Sequence, residues 1–312
     1  MKPDMRVQFA GVELVNPVIA ASGTFGYGIE FEEIVSFERI GGLVTKGLSR
    51  EPMAGNQAPR LIETASGMMN SIGLQNIGVK AFIEKKLPEL RKYTKCAVIA
   101  NVFGYQVADY IEVIQQLNQA EGIAAYELNA SCPNTDHGGM VFGTDATMLD
   151  ELVFRTKQVT KRPLIVKLSP NVTSIAVMAK CAEKAGADAV SLVNTFVSLA
   201  IDVETRRPRI ANVTAGLSGP AIRPIAVRMV WEAAKAVKIP VLGMGGIVSA
   251  EDAVEFLLAG ATAVQVGTAN YADPRAVERI AKGLEHWCVR HHVEKVKDLS
   301  GAMEADKAAS KH

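Results

Sequence analysis

The stretch of this chain best equipped for chemistry is Glu127-Leu128-Asn129-Ala130-Ser131-Cys132-Pro133-Asn134. It follows Ile123-Ala124-Ala125-Tyr126, an apolar run of strand length, so its polar residues stand where the chain leaves a core for a loop. Asn129 offers a donor and an acceptor. Cys132 offers the only strongly nucleophilic or basic side chain of the stretch, and Pro133 fixes the backbone behind it. His137-Gly138-Gly139 then suit a movable loop. An arbitrary Cys beside a turn is more often a buried structural thiol. Here the polar neighbours and the loop position favour a reactive one.

The elements that must carry this loop repeat along the chain. Strand-length apolar runs occur at 18–21, 42–45, 97–100, 124–128, 164–168, 189–193, 241–244 and 263–266. Segments with apolar residues near 3.6 spacing separate most of them, at 108–118, 147–159, 175–185, 224–237, 250–259 and 274–286. Gly186 and Gly260 read as helix C-caps. Eight strand–helix units predict an α/β fold, a parallel (β/α)8 TIM barrel, with a doubly wound open sheet as the second choice. A short β-hairpin at 7–14 precedes it. Two long connections, from Lys46 to about Asn76 and from Asn194 to Pro220, are expected as functional insertions at the C-terminal face. Within the second, 201–208 suits a hairpin or a partner-facing edge. Residues 1–303 are expected to form a single barrel domain, and 304–312 a disordered polar tail.

Composition narrows the function. The 312 residues are 48% hydrophobic and 21% charged, with net charge +1, so nothing suggests nucleic acid or a charged membrane surface. No apolar run approaches the roughly 18 residues that span a bilayer, and the start lacks a signal-peptide apolar region. Cys96, Cys132, Cys181 and Cys288 are dispersed, which fits a reducing cytoplasm and no metal site or iron–sulfur cluster on this chain.

The C-terminal strand ends supply Ser22-Gly23-Thr24, Thr45-Lys46-Gly47, Asn101, Asn129, Lys167, Asn194-Thr195, Gly245-Gly246 and Gly267-Thr268. The last two pairs sit where this architecture usually holds phosphate, although either one alone is only a tight turn. Lys167 lies in an apolar run, and a buried amine needs an anionic partner. Flavin mononucleotide (FMN), phosphorylated and with a ring that becomes anionic on reduction, meets both needs. Lys46, with Asn70-Ser71-Ile72-Gly73-Leu74, Asn129, Asn194 and Thr195, suits a planar polar ring bearing one carboxylate. Singly, each Asn suits a turn or a cap.

At these residues the sequence resembles the dihydroorotate dehydrogenases of pyrimidine biosynthesis. The resemblance runs from Ala21-Ser22-Gly23 to Gly267-Thr268-Ala269 and is strongest at 70–76 and 127–134. It implies an FMN barrel that oxidises dihydroorotate to orotate. By motif position Cys132 would be the base, taking the proton from ring carbon five while a hydride leaves carbon six for the flavin, with Lys46 and Lys167 assisting. The resemblance implies FMN contacts from Ser22, Lys46, Gly47, Asn101, Asn129, Lys167, Val193, Gly219, Gly245, Gly246, Gly267 and Thr268. It implies an orotate site from Lys46, Asn70, Ser71, Ile72, Gly73, Leu74, Asn129, Asn194 and Thr195.

A Cys base without a membrane segment is similar to the soluble class 1. The stretches 22–28, 45–47 and 201–208 are similar to its NAD-linked B type. That type implies a partner subunit with FAD and a [2Fe–2S] cluster, and a dimer of this chain within a heterotetramer. Phe196-Val197-Ser198 departs from the expected pattern. The alternatives are a fumarate-linked homodimer, a flavin barrel acting on uracil or tRNA uridine, and a barrel serving only electron transfer.

Overall fold

The structure is a computed structural model that describes residues 2–130 and 142–304. In chain order its strands are β1 (Val7–Phe9), β2 (Val12–Leu14), β3 (Val18–Ala20), β4 (Gly42–Val44), β5 (Leu61–Thr64), β6 (Gly67–Asn70), β7 (Ala97–Val102) and β8 (Ala125–Asn129). They continue with β9 (Leu164–Lys167), β10 (Ala189–Leu192), β11 (Phe196–Leu199), β12 (Ile201–Asp202), β13 (Arg207–Pro208), β14 (Thr214–Ser218), β15 (Val241–Met244) and β16 (Ala263–Val266).

Strands β3, β4, β7, β8, β9, β10, β15 and β16 close into a parallel barrel in that order, as the alternating pattern predicted. Their residues are buried throughout, because the interior covers one side and the helices cover the other. Each helix presents one apolar stripe to the barrel. Val107–Asn118, for example, buries Val107, Tyr110, Val113, Ile114 and Leu117. Short polar side chains start three of these helices by accepting otherwise unpaired N–H groups. Asp145 takes that of Met148 at 2.9 Å, and Ser249 takes that of Asp252 at 3.1 Å. Gly186 and Gly260 follow two helix ends with φ of 103° and 116°, in the left-handed region where a side chain would be strained.

β1 and β2 form the expected hairpin. The two long connections do not stay irregular. Read as loops in the sequence, they supply β5 and β6 from one and β11 and β14 from the other, joined as an antiparallel sheet in the order β11-β14-β6-β5. Met69, Ile210 and Ala215 form a small separate core beneath it. No periodicity announces these strands, because each buries at most two residues rather than a continuous face. The 201–208 stretch is the expected hairpin, β12 against β13. Phe196-Val197-Ser198 lies in β11, at an edge of the same sheet.

Candidate functional site

Strand register brings the polar strand-end residues together. β7 pairs with β8 so that Asn101 lies beside Glu127, and β8 pairs with β9 so that Asn129 lies beside Lys167. Side chains alternate along a strand, so Glu127 and Asn129 share the inner side of the barrel. Glu127 is fully buried and sits at the centre of a network. Its Oε1 accepts from Asn101 Nδ2 at 2.7 Å, and its Oε2 accepts from Ser191 Oγ at 3.0 Å and from Gln265 Nε2 at 2.7 Å. Lys167 Nζ lies 3.8 Å from Glu127 Oε1. The anionic partner that the sequence sought for Lys167 in a ligand is therefore present in the chain itself. A carboxylate only accepts, so each amide must turn its nitrogen inward and its oxygen away. Asn101 Oδ1 and Gln265 Oε1 are accordingly buried without a partner among the described residues.

Lys46 begins the loop after β4 and reaches the same end of the barrel. A methyl group added at Gly23 would stand 3.9 Å from Lys46 Nζ. Burial, then the nearby charges of Arg60 and Lys167, hold the Lys46 pKa below the ordinary lysine value. Lys46 pairs with no carboxylate among the described residues, so a concentration of positive charge faces the mouth. Arg60 is fixed there by bonds from Nη1 to Asn56 O at 3.1 Å and from Nη2 to Gln75 Oε1 at 2.6 Å.

The 70–74 stretch approaches from above. Asn70 ends β6, and Asn56 Nδ2 donates to both the carbonyl and the hydroxyl oxygen of Ser71 at 3.1 Å. The Ile72 carbonyl accepts from Asn56 N–H at 3.0 Å. Gly73 and Leu74 both take positive φ, 72° and 57°. A methyl group added at Gly47 would stand 3.0 Å from Asn101 Oδ1 and 3.9 Å from Leu74 Cδ2, so these three residues converge.

On the other side of the mouth, Val193 N–H donates to Met244 O at 3.0 Å, and Asn194 Oδ1 accepts from Thr195 N–H at 2.9 Å. Gly245 and Gly246 turn with φ of 132° and 81°. A methyl group at Gly246 would meet Gly219 O at 2.7 Å, and one at Gly219 would meet Gly67 Cα at 2.7 Å. Glycine is required at both for the close approach as well as for φ. Thr268 Oγ1 donates to Ser218 Oγ at 2.9 Å beside them, and Ser22 Oγ donates to Thr45 O at 2.7 Å. Gly267 follows β16 at the same end, against Ala21 and Thr24.

Thus Ser22, Lys46, Gly47, Asn101, Asn129, Lys167, Val193, Asn194, Thr195, Gly219, Gly245, Gly246, Gly267 and Thr268 all stand at or beside one end of the barrel. Asn101 differs slightly from expectation, lying within β7 rather than beyond it. Cys132 and the 137–139 segment lie outside the described residues, as does the tail from 305. Sequence reading passed over Glu127, Gln265, Ser191 and Arg60. The first three carried a visible signal, a polar side chain inside an otherwise apolar barrel strand. Arg60 carried none. Among the described residues no helix is long and apolar enough to cross a membrane, and no cluster of His, Cys, Asp or Glu is placed to hold a metal.

The family model for dihydroorotate dehydrogenase matches residues 4–288. A Solibacter usitatus (strain Ellin6076) protein provisionally named dihydroorotate dehydrogenase A (fumarate) is 57% identical over 303 residues, covering 97% of this chain and 99% of the relative. The dihydroorotate dehydrogenase B (NAD(+)) catalytic subunit of Citrifermentans bemidjiense is 55% identical with the same coverage. That of Geobacter sulfurreducens is 54% identical, again over 97% and 99%. The family model spans most of the chain, and these relatives are more than half identical to it over nearly its whole length: the chain belongs to the dihydroorotate dehydrogenase family.

Proposed function

We propose that this chain oxidises dihydroorotate to orotate in pyrimidine biosynthesis, with FMN as its resident cofactor. The observation that carries the reading is the barrel mouth, where Lys46 is half-buried near Arg60 and Lys167 and, among the described residues, pairs with no carboxylate. A buried unpaired charge is costly, and an anionic ligand relieves it.

The residues fit FMN on their own terms. Asn101 Oδ1 is a buried acceptor with no donor among the described residues, close to Gly47, and a ring N–H of the cofactor would answer it. Lys167, Lys46, Asn129, Ser22 and Val193 would surround the ring. Gly219, Gly245, Gly246, Gly267 and Thr268 would take the phosphate, in turns tight enough for backbone N–H groups to approach it. Bound FMN supplies the acceptor for a hydride.

The chain's own residues do the rest. Lys46 holds the substrate carboxylate, and Asn70, Ser71, Ile72, Gly73, Leu74, Asn129, Asn194 and Thr195 orient the ring. Cys132 accepts the proton from ring carbon five. Lys167, held by Glu127, places positive charge where negative charge develops.

For the electron acceptor, the reading favoured is NAD, reached through a second subunit with FAD and a [2Fe–2S] cluster. Two copies of this chain would form the centre of a heterotetramer in the cytoplasm. The support is a solvent-facing apolar edge around β11 and the β12–β13 hairpin, where Val197, Leu199, Ile201, Val203 and Val213 are exposed, Val203 at 78%. The fumarate-linked homodimer is the second reading, favoured by the Solibacter relative's name. Residues 1–303 act as one catalytic domain in either case. The test is steady-state dihydroorotate oxidation with NAD, fumarate and an artificial acceptor in turn. Turnover with none of the three overturns the proposal.

A further inference from the structure

The barrel interior holds one carboxylate that the reaction above does not use. Glu127 is a 0% exposed anion whose four neighbours come from four different strands: Asn101 from β7, Lys167 from β9, Ser191 from β10 and Gln265 from β16. β8 and β16 are diametrically opposed in the strand order, so Glu127 and Gln265 together bridge the barrel. Stability alone does not ask for this. Apolar residues of similar volume fill such a layer at no desolvation cost, and the rest of the core is built that way.

The arrangement has two consequences at the mouth. First, Glu127 fixes the direction of Asn101. Because Nδ2 must face the carboxylate, Oδ1 faces the space beside Gly47, unpaired among the described residues. Second, it supplies the counter-charge of Lys167, which is only 7% exposed. Glu127 offsets part of the charge that Lys167 presents at the mouth. Without the carboxylate, a full positive charge would face a ligand already in its resting state.

We propose that Glu127 is a positioning residue that sets the flavin's reduction potential. It holds Lys167 and Asn101 at the ring and keeps the potential below the value that an unopposed Lys167 would impose. This rests on the FMN reading above. In a low-dielectric interior, a fixed charge several ångströms from a redox group shifts the group's potential, since only one of its two states carries the added negative charge.

The experiment is spectroelectrochemical titration of the bound flavin in wild type, Glu127→Gln and Glu127→Asp, with FMN affinity measured on each apoprotein by fluorescence quenching. Removing the charge in Glu127→Gln should shift the potential positive. Glu127→Asp keeps the charge but shortens the reach to Gln265, and should stay near the wild-type potential even if it unfolds earlier in urea. Ser191→Ala removes a neutral donor and should leave the potential in place; if Glu127→Gln does not fold, Lys167→Gln serves instead, since it leaves the Glu127 carboxylate unopposed and should shift the potential negative, and an unchanged or raised potential there overturns the inference. An unchanged or lowered potential in Glu127→Gln overturns the inference, as does a shift in Glu127→Asp or Ser191→Ala as large as any seen on losing the charge. A wild-type protein that takes up no FMN overturns the underlying reading, and this inference with it, before any variant is made.

Discussion

Gln265 on one wall of the barrel donates through Nε2 to Glu127 Oε2 on the opposite wall at 2.7 Å, and closes the layer beneath the mouth. Replacing Glu127 by Ala would orphan three buried donors and leave Lys167 without its counter-ion. Breaking a buried pair by removing one partner costs about 3–5 kcal/mol. Urea unfolding of Glu127→Ala should show a loss of that order. A loss well under about 1 kcal/mol would mean that water or a rearrangement satisfies the network.

Lys46 should govern affinity for the substrate carboxylate. A charge-assisted contact is worth roughly 1.5–3 kcal/mol, so Lys46→Ala should weaken orotate binding by one to two orders of magnitude in a flavin-absorbance titration. An unchanged Kd would put the carboxylate elsewhere. Burial, Arg60 and Lys167 lower the Lys46 pKa from 10.5. Its charge is thus lost earlier on the alkaline side than an exposed lysine's. Orotate affinity should fall as pH rises through that lowered pKa, and this fall should be absent in Lys46→Ala.

The same lysine should be a burden to the empty protein. A lysine whose folded pKa lies below its unfolded value destabilises the fold while charged, and the penalty fades as pH climbs to the unfolded pKa. Apoprotein with Lys46→Met should therefore be more stable by about 1 kcal/mol at neutral pH, with the gain shrinking at alkaline pH. Equal urea midpoints for the two apoproteins at pH 7 would contradict this.

The thiols should separate by reactivity. Burial pushes Cys96 up to about 12 and raises Cys181 and Cys288 as well. At neutral pH these are almost wholly thiol, and the thiolate is the nucleophile. Iodoacetamide followed by peptide mass mapping should mark Cys132 first and abolish dihydroorotate oxidation. Orotate should protect it. Faster labelling at Cys181, the most accessible of the other three, would argue against a special Cys132.

Reduction of NAD should require the second subunit. The chain's four cysteines are dispersed in sequence, with no Cys-x-x-Cys pair to suggest a cluster site. Purified alone, it should reduce an artificial acceptor but not NAD. Robust NAD turnover by the isolated chain would refute the partner, and robust fumarate turnover would place it with the homodimeric kind.

Much of the barrel was legible because parallel strands buried on both faces read as unbroken apolar runs, and the helices between them carry a clean stripe. Motif stretches marked Lys46, Asn129 and the 70–74 segment. The β5–β6 and β11–β14 pairings were not legible. Val197 and Leu199 point outward, while the core beneath them is a few residues, so no periodicity announces the sheet. Glu127 and Gln265 were visible as polar residues in apolar strands. Their meeting depends on closure across the barrel, a contact between residues 138 apart in the chain. Lys167 illustrates the limit. Its need for an anion followed from the sequence, but which anion depended on which strand closed against which.

The central claim is tested most directly by mixing the purified, FMN-loaded protein with dihydroorotate under anaerobic conditions and following the flavin absorbance. The account predicts rapid bleaching, with one orotate formed per flavin, and bleaching slowed strongly in Cys132→Ser, because a hydroxyl is a far poorer base than a thiol near neutral pH. A flavin that stays yellow with excess dihydroorotate would contradict the account. So would a Cys132→Ser protein that bleaches at the wild-type rate, which would remove Cys132 from the reaction.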